Sequence, residues 1–164
     1  MNIAPSPGRS EFSDRRECSD NARFEVFVLF TTAQETMFAL RNAADLARQL
    51  NARIEVIVPE VVPYPLPVDR PPVAPVFLMN RYRAIVQQAG IDADVRVCLC
   101  REPRAALGAT LKPGSLIVIG VRRCWWLTRK TQLARWLEAQ GYRVVVVDGS
   151  GGASGSRLTH SSWK

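Results

Sequence analysis

FEVFVLFTTAQETMFALRNAADLARQLNARIEVIVP, residues 24–59, changes its hydrophobic period twice. Phe24–Phe30 is nearly all apolar and rich in β-branched and aromatic side chains, the pattern of a strand buried on both faces. Thr31-Thr32-Ala33 is a turn. Thr32 is placed to cap the helix that follows, with Glu35 three residues on in the capping-box position. In Gln34–Leu50, Met37, Leu40, Ala43, Ala44, Ala47 and Leu50 recur at steps of three and four, so one helical face is apolar. Asn51 can end the helix in the left-handed conformation, and Arg53–Val58 is a second apolar strand. Strands joined through a helix run parallel, with a right-handed crossover.

The alternation continues downstream. Pro59–Pro75 holds seven of the chain's eleven prolines, and proline removes donors and fixes φ, so an extended surface loop is expected there. Val76–Gln88 reads as a helix. Ala93–Leu99 alternates, with Val95, Val97 and Leu99 on one side and Asp94, Arg96 and Cys98 on the other, as suits an edge strand. Pro103 suits the first residue of a helix reaching about Lys112. Ser115–Ile119 is a buried strand, Thr131–Gln140 a helix, and Arg143–Val147 the last strand. The pattern predicts an α/β fold: a doubly wound, five-stranded parallel sheet in the order 3-2-1-4-5, a Rossmann-like three-layer sandwich. Residues 24–148 form this domain. Residues 1–23 mix charge with Ser and Pro, without an apolar core that would mark a secretory leader. Residues 149–164 are a Gly/Ser-rich tail.

The chain has 164 residues, 47% hydrophobic and 23% charged, enough for one buried core. No apolar run is long enough to span a bilayer. Cys18, Cys98, Cys100 and Cys124 lack a CxxC pair, and the sole histidine, His160, lies in the tail. No metal site is expected. The cysteines suit a reducing, cytoplasmic compartment as small hydrophobes, with a redox role for Cys98, Cys100 and Cys124 the sharper alternative.

Ligands of such sheets sit beyond the carboxyl ends of the strands, where the strand order reverses. Here that point lies between the first and fourth strands, at Thr31–Ala33 and at GVRRCWWLTRK, residues 120–130. From Gly120 to Arg143 there are six basic residues and one acid, a net +5 of the chain's formal +7. Three segments resemble the universal stress protein (UspA-like) family: Ala39–Pro59, SLIVIG at 115–120 and YRVVVVD at 142–148. The resemblance implies this fold, and in ATP-binding members an Asp closing the first strand, then G-x-x-G and, after a spacer, G-[ST] beyond the fourth. Thr31 stands at the Asp position, Gly120 at the first glycine, Arg123 at the second, and Lys130-Thr131 at the closing pair. Glycines there let backbone N–H groups approach phosphates; Arg123 and Lys130 obstruct that approach.

These features predict a non-enzymatic regulatory or stress-response protein without ordinary ATP binding. Neither switch loop offers a general base, and no catalytic residues are expected. The first alternative is a nucleotide- or anion-binding signalling module using Thr31, Thr32, Gly120, Arg122, Arg123, Lys130 and Thr131, with the N-terminus of the last helix favouring an anion. The second is an adaptor docking on a protein or membrane surface through Trp125, Trp126 and Arg129. Trp136, at helical spacing with Leu133 and Leu137, is core. No motif supports nucleic acid as a partner. The last strand is apolar along Val144, Val145, Val146 and Val147 yet lies at the sheet edge, so a homodimer pairing through it is expected.

Overall fold

The computed structural model describes residues 24–122, 129–149 and 157–158. The chain runs β1 (Glu25–Leu29), α1 (Ala33–Leu50), β2 (Arg53–Val61), α2 (Pro75–Gln88), β3 (Asp94–Cys100), α3 (Pro103–Thr110), β4 (Leu116–Val121), α4 (Arg129–Ala139), β5 (Arg143–Asp148) and β6 (Arg157–Leu158). The sheet order is β3-β2-β1-β4-β5-β6. The first five strands are parallel, as the pattern predicts. β1 is central, with Val28 opposite Val56 on one side and Val118 on the other.

Side-chain alternation sorts the sheet into two cores of different grain. Val26, Val28, Val56, Val58, Val118, Val145 and Val147 face α1 and α2, meeting Leu40, Ala43, Leu78 and Val86. Phe27, Leu29, Ile57, Ile117 and Ile119 face α3 and α4, meeting Leu107, Leu111, Ala134 and Leu137. Small β-branched residues let α1, with its alanine stripe, lie close to the sheet. Larger side chains fill the opposite layer. Each such side chain, fully buried, contributes about 1.5–3 kcal/mol. Trp136, expected in the core from its helical spacing, is instead half-buried, packing against the second core beside Leu133.

The ends of α1 are built as the sequence indicates. Thr32 accepts the Glu35 N–H as N-cap, and Asn51 closes the helix at φ 50°, ψ 43°. Three boundaries differ from expectation. β2 runs through Pro59 to Val61, where a loop is expected. The Ile57 carbonyl accepts from Phe30 on the β1 side, whereas the Val62 N–H donates to Cys100 on the β3 side. Alternate residues point to alternate neighbours, so Pro59 turns its missing N–H toward the side where β1 has ended. α4 begins at Arg129, so Thr131 lies within its first turn and does not open it. Finally, within the expected tail, Arg157–Leu158 pairs antiparallel with β5, at Val146 and Val145 respectively. The outer edge of β5 is therefore covered at those two residues, which topology alone leaves open.

The remainder of the proline-rich loop is tied to the β3–α3 corner by one side chain. Arg101 donates to the carbonyl oxygens of Val62, at 2.6 Å, and Leu66, and its guanidinium lies 4.0 Å from the centre of the Tyr64 ring. No helix among the described residues is long and apolar enough to cross a membrane.

Candidate functional site at the strand-order reversal

β1 and β4 are adjacent in the sheet while their following helices, α1 and α4, lie on opposite faces. Their carboxyl ends meet where the expected site residues lie. The Thr31 hydroxyl donates to the Gly120 carbonyl, at 3.2 Å, and the Thr31 N–H donates to the Thr36 hydroxyl, also at 3.2 Å. Thr31 thus staples the two strand ends, its hydroxyl spent on a neighbouring backbone.

Gly120 is a glycine for a reason the sequence does not reveal. A Cβ there would lie 2.0 Å from the Glu35 carbonyl oxygen and 2.6 Å from its carbon. The first turn of α1 passes directly over the end of β4, and the missing side chain makes room for helix backbone.

That passage carries Glu35 into the site. Its side chain is buried, at 5% exposure. One carboxylate oxygen accepts the Arg122 backbone N–H at 3.0 Å; the other accepts the Thr32 hydroxyl at 2.8 Å and pairs with the Lys130 ammonium. The reciprocal capping-box bond expected of Glu35 is not the one it makes: the carboxylate reaches across to β4 and α4. Burial pushes its pKa up, but the hydrogen bonds from Lys130, Thr32 and Arg122 outweigh burial and hold it below the ordinary 4.5. α4 has no acid in its first turn and carries Lys130 there, at the end where a helix favours negative charge. Glu35 supplies that charge from another helix.

The expected constellation is thus partly assembled. Thr31, Thr32, Gly120, Arg122 and Lys130 come together; Thr131 is nearby in sequence in the first turn of α4. Arg123, Trp125 and Trp126, and the side chain of Arg129, lie outside the described residues. Glu35, an acidic group in the first turn of α1, was missed as a site residue because its place after Thr32 reads as a local cap. Every fully buried side-chain nitrogen and oxygen among the described residues has a partner.

Elsewhere, Cys98 and Cys100 are free thiols. Burial pushes the Cys100 thiol pKa up, and its Sγ donates to the Glu60 carbonyl at 3.6 Å. Cys18 and Cys124 lie outside the described residues. No cluster of metal-ligating side chains occurs among the described residues. Of the strand expected to pair between copies, Val144, Val145 and Val147 are buried and Val146 half-buried within the single chain.

No protein-family model matches the chain, and no curated protein matches it in sequence. Solved structures similar to the chain include three universal stress proteins. A universal stress protein in complex with cAMP is 17% identical, covering 79% of this chain and 100% of that one, with a TM-score of 0.46. A universal stress protein family member from Burkholderia pseudomallei is 21% identical, covering 75% and 94%, with a TM-score of 0.44. A universal stress protein from Archaeoglobus fulgidus is 15% identical, covering 75% and 92%, with a TM-score of 0.52. Together with the strand order and the helices on both faces of the sheet, the last comparison shows that this chain has the universal stress protein fold.

Proposed function

We propose that this chain is a cytoplasmic, non-enzymatic regulatory protein of the universal stress protein type that does not bind ATP in the ordinary way. The observation that supports this is the Glu35 carboxylate. It takes the Arg122 N–H and the Lys130 ammonium at the end of β4, donors that a phosphate would otherwise recruit. A triphosphate brought there meets a buried negative charge already holding those donors. Gly120, which matches the first glycine of the family's phosphate loop, is occupied sterically by α1.

The experiment is thermal denaturation with and without ATP and Mg²⁺. A ligand present at one hundred times its Kd stabilises by about 2.7 kcal/mol. We expect no change in Tm at millimolar ATP. A rise of several degrees abolished by Lys130→Ala would favour the anion-binding reading, in which Glu35 yields its donors to the ligand.

We infer in addition a homodimer through β5. Among the described residues, β6 covers two of the six in β5, so pairing by a second copy must displace or bypass β6. Sedimentation at micromolar concentration should show a dimer, and a chain truncated after Gly149 should dimerise more tightly. A monomer in both cases overturns the inference.

A further inference from the structure

A groove of about 350 Å³ opens beside the β4 and β5 ends, lined by Gln34, Met37, Phe38, Arg41, Arg122 and Gly149. Its α1 residues come from the N-terminal half of that helix, whereas the Glu35 carboxylate accepts the Arg122 backbone N–H. Its size is at the small end of the range of ligand clefts, about 300–1,000 Å³. Two properties set what it can hold.

The first is its floor. Phe38 and Met37 are half-buried, and the Phe38 ring lies against the backbone of Gly149: a Cβ there would stand 2.7 Å from the ring. This surface offers an aromatic face and a thioether, which favour a flat apolar guest.

The second is its charge. Arg41 and Arg122 are exposed, and neither guanidinium belongs to an ion pair among the described residues. The Arg41 guanidinium carbon lies 5.9 Å from the centre of the Phe38 ring. A guanidinium near a ring retains its N–H fork for a planar anion. Asp45, four residues along α1 from Arg41, is paired with Arg48, and Asp148, next to Gly149, has a partner of its own.

We propose that this groove binds a small aromatic carboxylate, its ring on Phe38 and Met37 and its carboxylate on Arg41 and Arg122. The groove uses the Arg122 side chain, whereas Glu35 holds the Arg122 backbone N–H, so the proposal does not require Glu35 to release its donors.

The test is a ¹⁹F NMR titration with 4-(trifluoromethyl)benzoate, alongside its neutral isostere 4-(trifluoromethyl)benzamide. The acid should bind with a Kd of about 0.1–1 mM, as its size allows. The amide should bind at least tenfold more weakly. In the Arg41→Gln, Arg122→Gln double variant the acid should fall to the level of the amide. Trifluoroacetate, which keeps the charge and lacks the ring, should also bind at least tenfold more weakly than the benzoate. Equal binding of acid and amide, equal binding of trifluoroacetate, or no binding of the acid at about 10 mM each overturns the proposal. So does a correctly folded double variant with unchanged affinity. The wild-type comparisons decide the matter even if the double variant does not fold.

Discussion

Two carboxylates, Glu35 on α1 and Glu55 on β2, each face one cation, and they are perturbed in opposite directions. Glu35 is buried against Lys130 and holds its pKa below the ordinary value; Glu55 on β2 faces Arg96 on β3 at 2.5 Å, and its pKa is raised. Burial raises both. At Glu35 the hydrogen bonds from Lys130, Thr32 and the Arg122 N–H overcome it. At Glu55 the attraction of Arg96 is opposed by Glu25 and Asp94, and burial prevails. One cation is thus insufficient to stabilise a buried carboxylate: the number of donors aimed at it, and the like charges around it, decide the sign.

The strongest way to break this contrast is to move Glu35 bodily. Gly120→Ala places a methyl group on the Glu35 carbonyl, with backbone on both sides and no flexible chain end to yield. We expect a loss of about 3 kcal/mol, measured by urea denaturation. An effect below about 1 kcal/mol would mean that α1 lifts easily off β4.

Glu35→Gln keeps the shape and removes the charge. Charge-assisted hydrogen bonds are worth about 1.5–3 kcal/mol each, and Lys130 is partly solvated, so a net loss of about 2 kcal/mol is expected at pH 7. The sign with pH follows from the depressed pKa. The stabilising contribution of the Glu35 charge is complete above its unfolded pKa near 4.5 and is lost as pH falls through the lower folded value. The gap in Tm between wild type and variant should therefore be full at pH 6 and narrow below pH 4.5. A gap independent of pH would assign the effect to packing.

Glu55→Gln should have the smallest effect and the opposite sign. With the folded pKa raised, the protonated form is favoured by folding, and that advantage is lost as pH rises through the folded value. The variant should match wild type in acid and gain about 0.5 kcal/mol at neutral pH, since Arg96 is largely solvated. A loss at pH 7 would show that the Arg96 pair outweighs the repulsion from Glu25 and Asp94.

The parallel sheet, its order and the ends of α1 were legible because they rest on local signals. A two-period strand, a three-and-four helix, Thr32 as cap and Asn51 as terminator each act within a few residues. The exceptions have a common origin in non-local geometry. Pro59 is tolerated in β2 only because β1 stops short of it. Glu35 has a valid local role three residues after Thr32, and nothing along the chain says that β4 passes near enough to claim it instead. Gly120 matches a phosphate-loop glycine by position, yet its freedom is used by helix backbone. Sequence located the switch point, where Arg122 and Lys130 lie; it could not reveal the anion there, because that residue arrives from the start of a different helix.

The Glu35 contacts also bear on the order in which the molecule assembles. Glu35 is separated by 87 positions from Arg122 and by 95 from Lys130. Contacts of such separation repay their loop-closure entropy only after the intervening β2–α2–β3–α3 segment has condensed. The carboxylate therefore acts as a late-closing fastener. Weakening it should leave the refolding rate nearly unchanged and accelerate unfolding. In the native protein, the Arg122 amide should exchange through openings that release α1 from β4 and leave the central strands paired.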